Sequence, residues 1–79
     1  MADQPTADVT LDAKGLLCPM PIVKLARAVK EMQPQQVLLL LATDPGSVPD
    51  VAAWSKNTGN RILAQDREAN VMRFWIRKA

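Results

Sequence analysis

The residue best suited to chemistry is Cys18, set in the run GLLCPMPIVKLARAVKEM between Gly15 and Met32. Proline follows it directly at Pro19 and returns at Pro21. A hydrophobic core has no need of two prolines around one thiol, but the start of a helix accepts them, because its first N–H groups have no partner within the helix. Pro19 also biases the residue before it toward the extended region that a helix cap adopts. Cys18 is therefore expected to occupy or adjoin the N-cap, with Pro19 at the first helical position and the N–H of Met20 as the nearest donor to the sulfur. A thiol in that place feels the positive end of the helix dipole, which favours the thiolate. Lowering its pKa from the reference of about 8.5 to neutrality takes only ~2 kcal/mol. The helix end supplies part of this, and Lys14 and Lys24 are further sources. The alternative is that Cys18 is an inert filler, since free cysteine is among the most buried residue types. Position alone leaves both readings standing.

What the chain lacks narrows the chemistry. With one cysteine and no histidine among 79 residues, an internal disulfide, a Cys/His metal cluster and a Cys-His catalytic pair are all excluded. Neither a metal nor a cofactor is expected, and a domain of this size has little room for an internal cavity, so any site should be shallow. Ten Lys and Arg against eight Asp and Glu give a net charge of +2, which permits an acidic partner but falls short of a nucleic-acid-binding signature. The longest apolar run, VLLLLA at Val37 to Ala42, is too short to span a bilayer. The opening MADQPTADVT has neither a basic start nor an apolar leader core. The expected location is the cytoplasm, away from membranes.

The elements that must position Cys18 follow from hydrophobic periodicity. Residues 1–8 are polar and expected to form a flexible leading segment, and residues 9–79 a single domain. VTLDA from Val9 alternates as a half-buried strand. Ile22, Ala26, Val29 and Met32, flanked by Val23 and Leu25, recur at helical spacing, with Lys24, Arg27 and Lys30 on the polar side. Gln33-Pro34 stops this helix. Gln36 to Thr43 reads as a strand covered on both faces, central in the sheet. Ser47-Val48-Pro49-Asp50 matches a capping box that opens a second helix running to Gly59, with Val48, Val51, Ala52 and either Trp54 or Ser55 facing inward. Arg61 to Gln65 and Val71 to Lys78 read as a hairpin turning through Asp66 to Asn70, with Met72, Phe74 and Ile76 on one face and Arg73, Trp75 and Arg77 on the other. The fold class is α/β: a two-layer sandwich in the order β-α-β-α-β-β, with a four-stranded mixed sheet and two helices packed on one face.

LDAKGLLCPMP at Leu11 to Pro21 closely resembles the opening of the TusA/SirA-like sulfur carrier proteins, whose hallmark is a CPxP motif at the start of the first helix. The resemblance runs from Leu11 to Lys78 and includes Ala-Thr-Asp-Pro at Ala42 to Pro45. It implies the family's two-layer fold and a persulfide on Cys18, received from a cysteine desulfurase or a rhodanese-like donor. The sulfur would pass to an acceptor protein of the TusBCD or DsrE-like kind. Pro19 and Pro21 would be structural residues of the motif, and Asp44 would lie in the neighbourhood of the thiol. Family members serve 2-thiouridine formation in tRNA, molybdenum cofactor maturation or sulfur oxidation. The composition suits such a role, because a second internal thiol would attack the persulfide and discharge it as a disulfide.

Other features have plainer explanations. Lys24 and Arg27 are a solvated helix face or a docking patch for an acidic protein, and Asp44 before a proline suits a turn. Trp54 and Trp75 are candidates for packing or contact, and Arg73, Arg77 and Lys78 for edge-strand charges. The rival function is a small regulatory or nucleic-acid-binding module with a structural Cys18. A thiol-redox module would need a second cysteine where Pro21 stands.

Overall fold

The protein is described by a computed structural model covering residues 5–79; residues 1–4, part of the expected leading segment, lie outside the described residues. The elements are β1 (Val9–Ala13), α1 (Met20–Lys30), β2 (Val37–Ala42), α2 (Ser47–Thr58), β3 (Arg61–Glu68) and β4 (Val71–Arg77). They build one four-stranded sheet in the order β1-β2-β4-β3. β1 runs parallel to β2, and the other neighbours are antiparallel. Asp8 is tied to the sheet on both sides: its N–H donates to the Val37 carbonyl at 2.8 Å, and its carboxylate accepts the Val37 N–H at 2.8 Å.

This topology decides where a site can form. A parallel pair needs a crossover, here made by α1, so both strands end at the same edge of the molecule. Ala13, the last residue of β1, stands beside Ala42, the last of β2. The two loops that follow, one carrying Cys18 and the other Asp44, leave the sheet together. A hydrogen bond from the Gly15 N–H to Thr43 Oγ1 at 2.9 Å joins them.

Both helices bury their apolar sides on one face of the sheet, around Leu25, Val29, Leu38, Leu40, Val51 and Phe74. The stripe on α1 is rotated from the expected one. Pro21, Leu25 and Val29 are its buried residues, whereas Ile22 and Ala26 are half-buried and Val23 is exposed. Two overlapping stripes share Val29, and the buried proline selects the one that starts at position 21. On α2 the buried residues are Ser47 and Val51, while Val48 and Ala52 face solvent, contrary to expectation. Gly59 ends α2 with φ near +80°, a left-handed cap that glycine adopts without a Cβ clash.

β2 is interior, as its leucines require, but no second helical layer covers its outer face. Leu39 is paired there with Trp75 of β4. The Arg73 guanidinium lies 5.2 Å from the Trp75 ring centre, and Trp75 is only 4% exposed. The expected edge position for Arg73 and Arg77 is not met, because β4 lies between β2 and β3. Arg73 instead grips Asp66 across the hairpin with two bonds of 2.7 and 2.6 Å. The hairpin turn is tighter than expected, with only Ala69 and Asn70 between the strands.

Candidate functional site

Cys18 lies just outside α1. Pro19, expected at the first helical position, is the N-cap, and Pro21 falls within the first turn. The Cys18–Pro19 peptide bond is cis. The Met20 N–H, expected to point at the sulfur, donates to the Leu17 carbonyl at 2.9 Å. The N–H groups of Ile22 and Val23 both reach the Pro19 carbonyl, at 3.1 and 3.0 Å. Since proline has no N–H, every donor at the start of α1 is missing or already engaged. Pro21 is also fully buried, so its ring fills the core as well as fixing the backbone.

The groups that do meet Cys18 come from the start of α2. Asp44 accepts the Cys18 N–H on Oδ2 at 2.8 Å and the Gly46 N–H on Oδ1 at 3.3 Å, which fastens the two loops together. These bonds hold its carboxyl below the ordinary value of 3.8, the Cys18 N–H foremost and then the Cys18 thiol and the Gly46 N–H. Gly46 is the N-cap of α2, and no side chain caps that helix. The expected capping box is therefore not formed. Ser47 instead places its Oγ 3.8 Å from Cys18 Sγ and is 0% exposed. A Cβ at position 46 would sit 3.4 Å from the sulfur, so glycine lets the thiol settle against the backbone.

The electrostatics reverse the expectation of an acidic thiol. Burial, then hydrogen bonds to Asp44 and Asp50, push the Cys18 thiol from 9.0 up to about 11, opposed only by the Ser47 hydroxyl. No basic group acts on the thiol among the described residues. Lys14 sits 3.8 Å from Asp12. Lys24 and Arg27 occupy the exposed side of α1. Next to Cys18 in the chain the surface is partly apolar, with Leu17 75% and Met20 45% exposed. A shallow groove of about 420 Å³ runs from Pro19 between the helices, past Ile22 and Asp50 to Trp54. Among the described residues no cluster of His, Cys, Asp and Glu could hold a metal, and no helix is long and apolar enough to cross a membrane.

Of the residues singled out in the sequence, Cys18, Pro19 and Asp44 come together, Pro21 lies beneath them, and Lys24 and Arg27 stay apart on α1. Ser47, Gly46 and Asp50 were missed as partners of the thiol. The signal that could have found them is the parallel pairing of β1 and β2, which brings the loops after both strands to one edge.

The two-layer fold that sets Cys18 over the ends of a parallel strand pair has a solved counterpart in fold. The SirA-like protein of Desulfitobacterium hafniense superposes with a TM-score of 0.77 over 87% of this chain and 95% of its own, at 21% identity, and so shares the fold. The profile of the family described as Sulfurtransferase TusA matches residues 9–78. The chain belongs to that family. It is 47% identical over 72 residues to the Bacillus subtilis protein YrkI, covering 91% of this chain and 96% of that one. It is 43% identical to the sulfur carrier protein TusA of Allochromatium vinosum, covering 91% of this chain and 95% of the other.

Proposed function

We propose that residues 9–79 act as one sulfur carrier domain that holds a persulfide on Cys18 and relays it between two proteins. The observation that carries this reading is the position of the chain's single thiol, half-exposed at the joined ends of β1 and β2, inside the stretch matched by the TusA family. In loading, the Cys18 thiolate attacks the terminal sulfur of a donor persulfide. The Sγ–S bond forms, the donor's S–S bond breaks, and the donor cysteine leaves as a thiolate. In unloading, an acceptor thiolate attacks the sulfane sulfur and Cys18 is the leaving group. Sulfur changes hands without net oxidation.

The high thiol pKa gives this relay a particular character. At neutral pH the free carrier stays protonated and unreactive toward stray electrophiles. Loading waits for a docked partner that removes the proton, which agrees with the absence of histidine. The exposed Leu17 and Met20 next to Cys18 in the chain, with Lys24 and Arg27 further along α1, offer a docking surface for an acidic protein. The donor is a cysteine desulfurase or a rhodanese-like protein, and the acceptor a TusBCD or DsrE-like protein, in the cytoplasm. The sulfur would serve tRNA thiolation, molybdenum cofactor maturation or sulfur oxidation. Pro19, Pro21 and Asp44 hold the thiol for both partners.

One observation favours the rival reading of a structural cysteine: Sγ lies 3.8 Å from the buried Ser47 hydroxyl, beside the side-chain position left open at Gly46. The variant Cys18→Ser separates the two. Given a cysteine desulfurase and labelled cysteine, wild type takes up sulfur, and the variant takes up none while its unfolding free energy stays within about 1 kcal/mol of wild type. A wild type without label, beside a variant that loses about 1–3 kcal/mol by burying a hydroxyl, would assign Cys18 to structure alone.

A further inference from the structure

The surroundings of Cys18 Sγ contain acceptors in excess and donors in deficit. Its own N–H is bound to Asp44, as is that of Gly46. The N–H of Ser47 goes to the Asp44 carbonyl at 2.9 Å, that of Val48 to the Pro45 carbonyl at 3.2 Å, and that of Met20 to the Leu17 carbonyl. Asp44 and Asp50, the carboxylates facing the thiol, accept hydrogen bonds and repel an anion. One donor remains. The Ser47 hydroxyl is 0% exposed, lies 3.8 Å from Sγ, and makes no cap on its own helix. A buried hydroxyl requires a partner, and no buried side-chain oxygen or nitrogen among the described residues lacks one. For Ser47 that partner is the sulfur.

We infer that Ser47 is the anion-stabilising group of the transfer, its O–H donating to Cys18 Sγ when that sulfur carries negative charge. The inference rests on the relay reading. When an acceptor thiolate attacks the sulfane sulfur, a new S–S bond forms to the acceptor and the Sγ–S bond breaks. The electron pair stays on Sγ, and the Ser47 proton is the nearest one to meet it. The same contact stabilises the thiolate that attacks during loading. Ser47 thus offsets part of the effect of Asp44 and Asp50, so that the thiol is guarded without being inert.

The test uses the whole chain with Ser47→Ala and Ser47→Thr, and Ser47→Gly in case alanine fails to fold by circular dichroism. Alkylation of Cys18 by iodoacetamide is followed across pH, and sulfur transfer from the loaded chain to excess mercaptoethanol is timed in a single turnover. Removal of the hydroxyl should raise the alkylation midpoint by about half to one unit and slow transfer about three- to tenfold. Threonine should restore both. Alanine or glycine variants that titrate and transfer as wild type, or a threonine variant as impaired as alanine, would overturn the role of the hydroxyl. Alkylation needs no bound sulfur, so its midpoint judges Ser47 even if wild type proves unable to load, an outcome that would refute the relay itself.

Discussion

The starts of the two helices make an instructive contrast. α1 begins beside the thiol and has the motif prolines, yet it offers the sulfur no hydrogen bond: its N–H groups are absent or taken by Leu17 and Pro19. α2 begins 29 residues away in sequence and supplies what the sulfur meets, namely the Ser47 hydroxyl, the bare backbone of Gly46 and, through the preceding turn, Asp44. α1 fixes where Cys18 is, and the start of α2 supplies the groups that surround its sulfur. A helix N-terminus is thus no guarantee of an activated thiol. The dipole acts through free N–H groups, and proline removes them.

The sharpest way to break this contrast is Asp44→Asn. Loss of the carboxylate removes causes that raise the thiol pKa, so the Cys18 alkylation midpoint should fall from about 11 toward 9.0. The acid response should change as well. The folded-state pKa of Asp44 is depressed below 3.8, so its contribution to stability is present above that value and is lost as pH falls through the folded one. Wild type should therefore lose more stability than the variant between pH 5 and about pH 2, measured by denaturant melts. An unchanged alkylation midpoint would show that the α2 side does not control the thiol.

A smaller effect is expected at Gly46→Ala. Its backbone, with φ near −62°, accepts alanine, and stability should move by less than about 1 kcal/mol. The new Cβ would sit 3.4 Å from Sγ and crowd the sulfur, slowing loading by roughly two- to fivefold in a stopped assay with labelled cysteine. Equal loading would mean that the sulfur moves away from α2 when a partner docks.

Much of this molecule was legible in local patterns. The unbroken leucines of β2 mark an interior strand, and the alternation in Met72, Phe74 and Ile76 marks the inward face of β4, but the arginines of β4 suggest an edge that the sheet order does not give it. The stripe on α1 was legible to within one residue, because Val29 belongs to two candidate faces and only packing chooses between them. Trp75 was assigned to the correct face but not to its environment, since the arginine that covers it is held by Asp66 across the hairpin. The surroundings of Cys18 are hidden from the local sequence for the same kind of reason. The fragment Ser47 to Asp50 satisfies the local rule for a capping box, and nothing within four residues of it reveals a sulfur 29 positions earlier. Residues that act through chain neighbours are readable; of those that act across the parallel strand pair, Asp44 is indicated by the family resemblance, and Ser47, Gly46 and Asp50 are not.

The relay itself is tested most directly by mass. The chain is loaded by a cysteine desulfurase with cysteine, separated from the donor, and mixed with an acceptor protein that has a single reactive thiol. The intact mass of the loaded chain should exceed that of the free chain by about 32 Da, one sulfur atom, and the increment should then leave it and appear on the acceptor. A chain that gains no such increment, or gains it and never passes it on, would contradict the account of Cys18 as the carrying thiol of a sulfur relay.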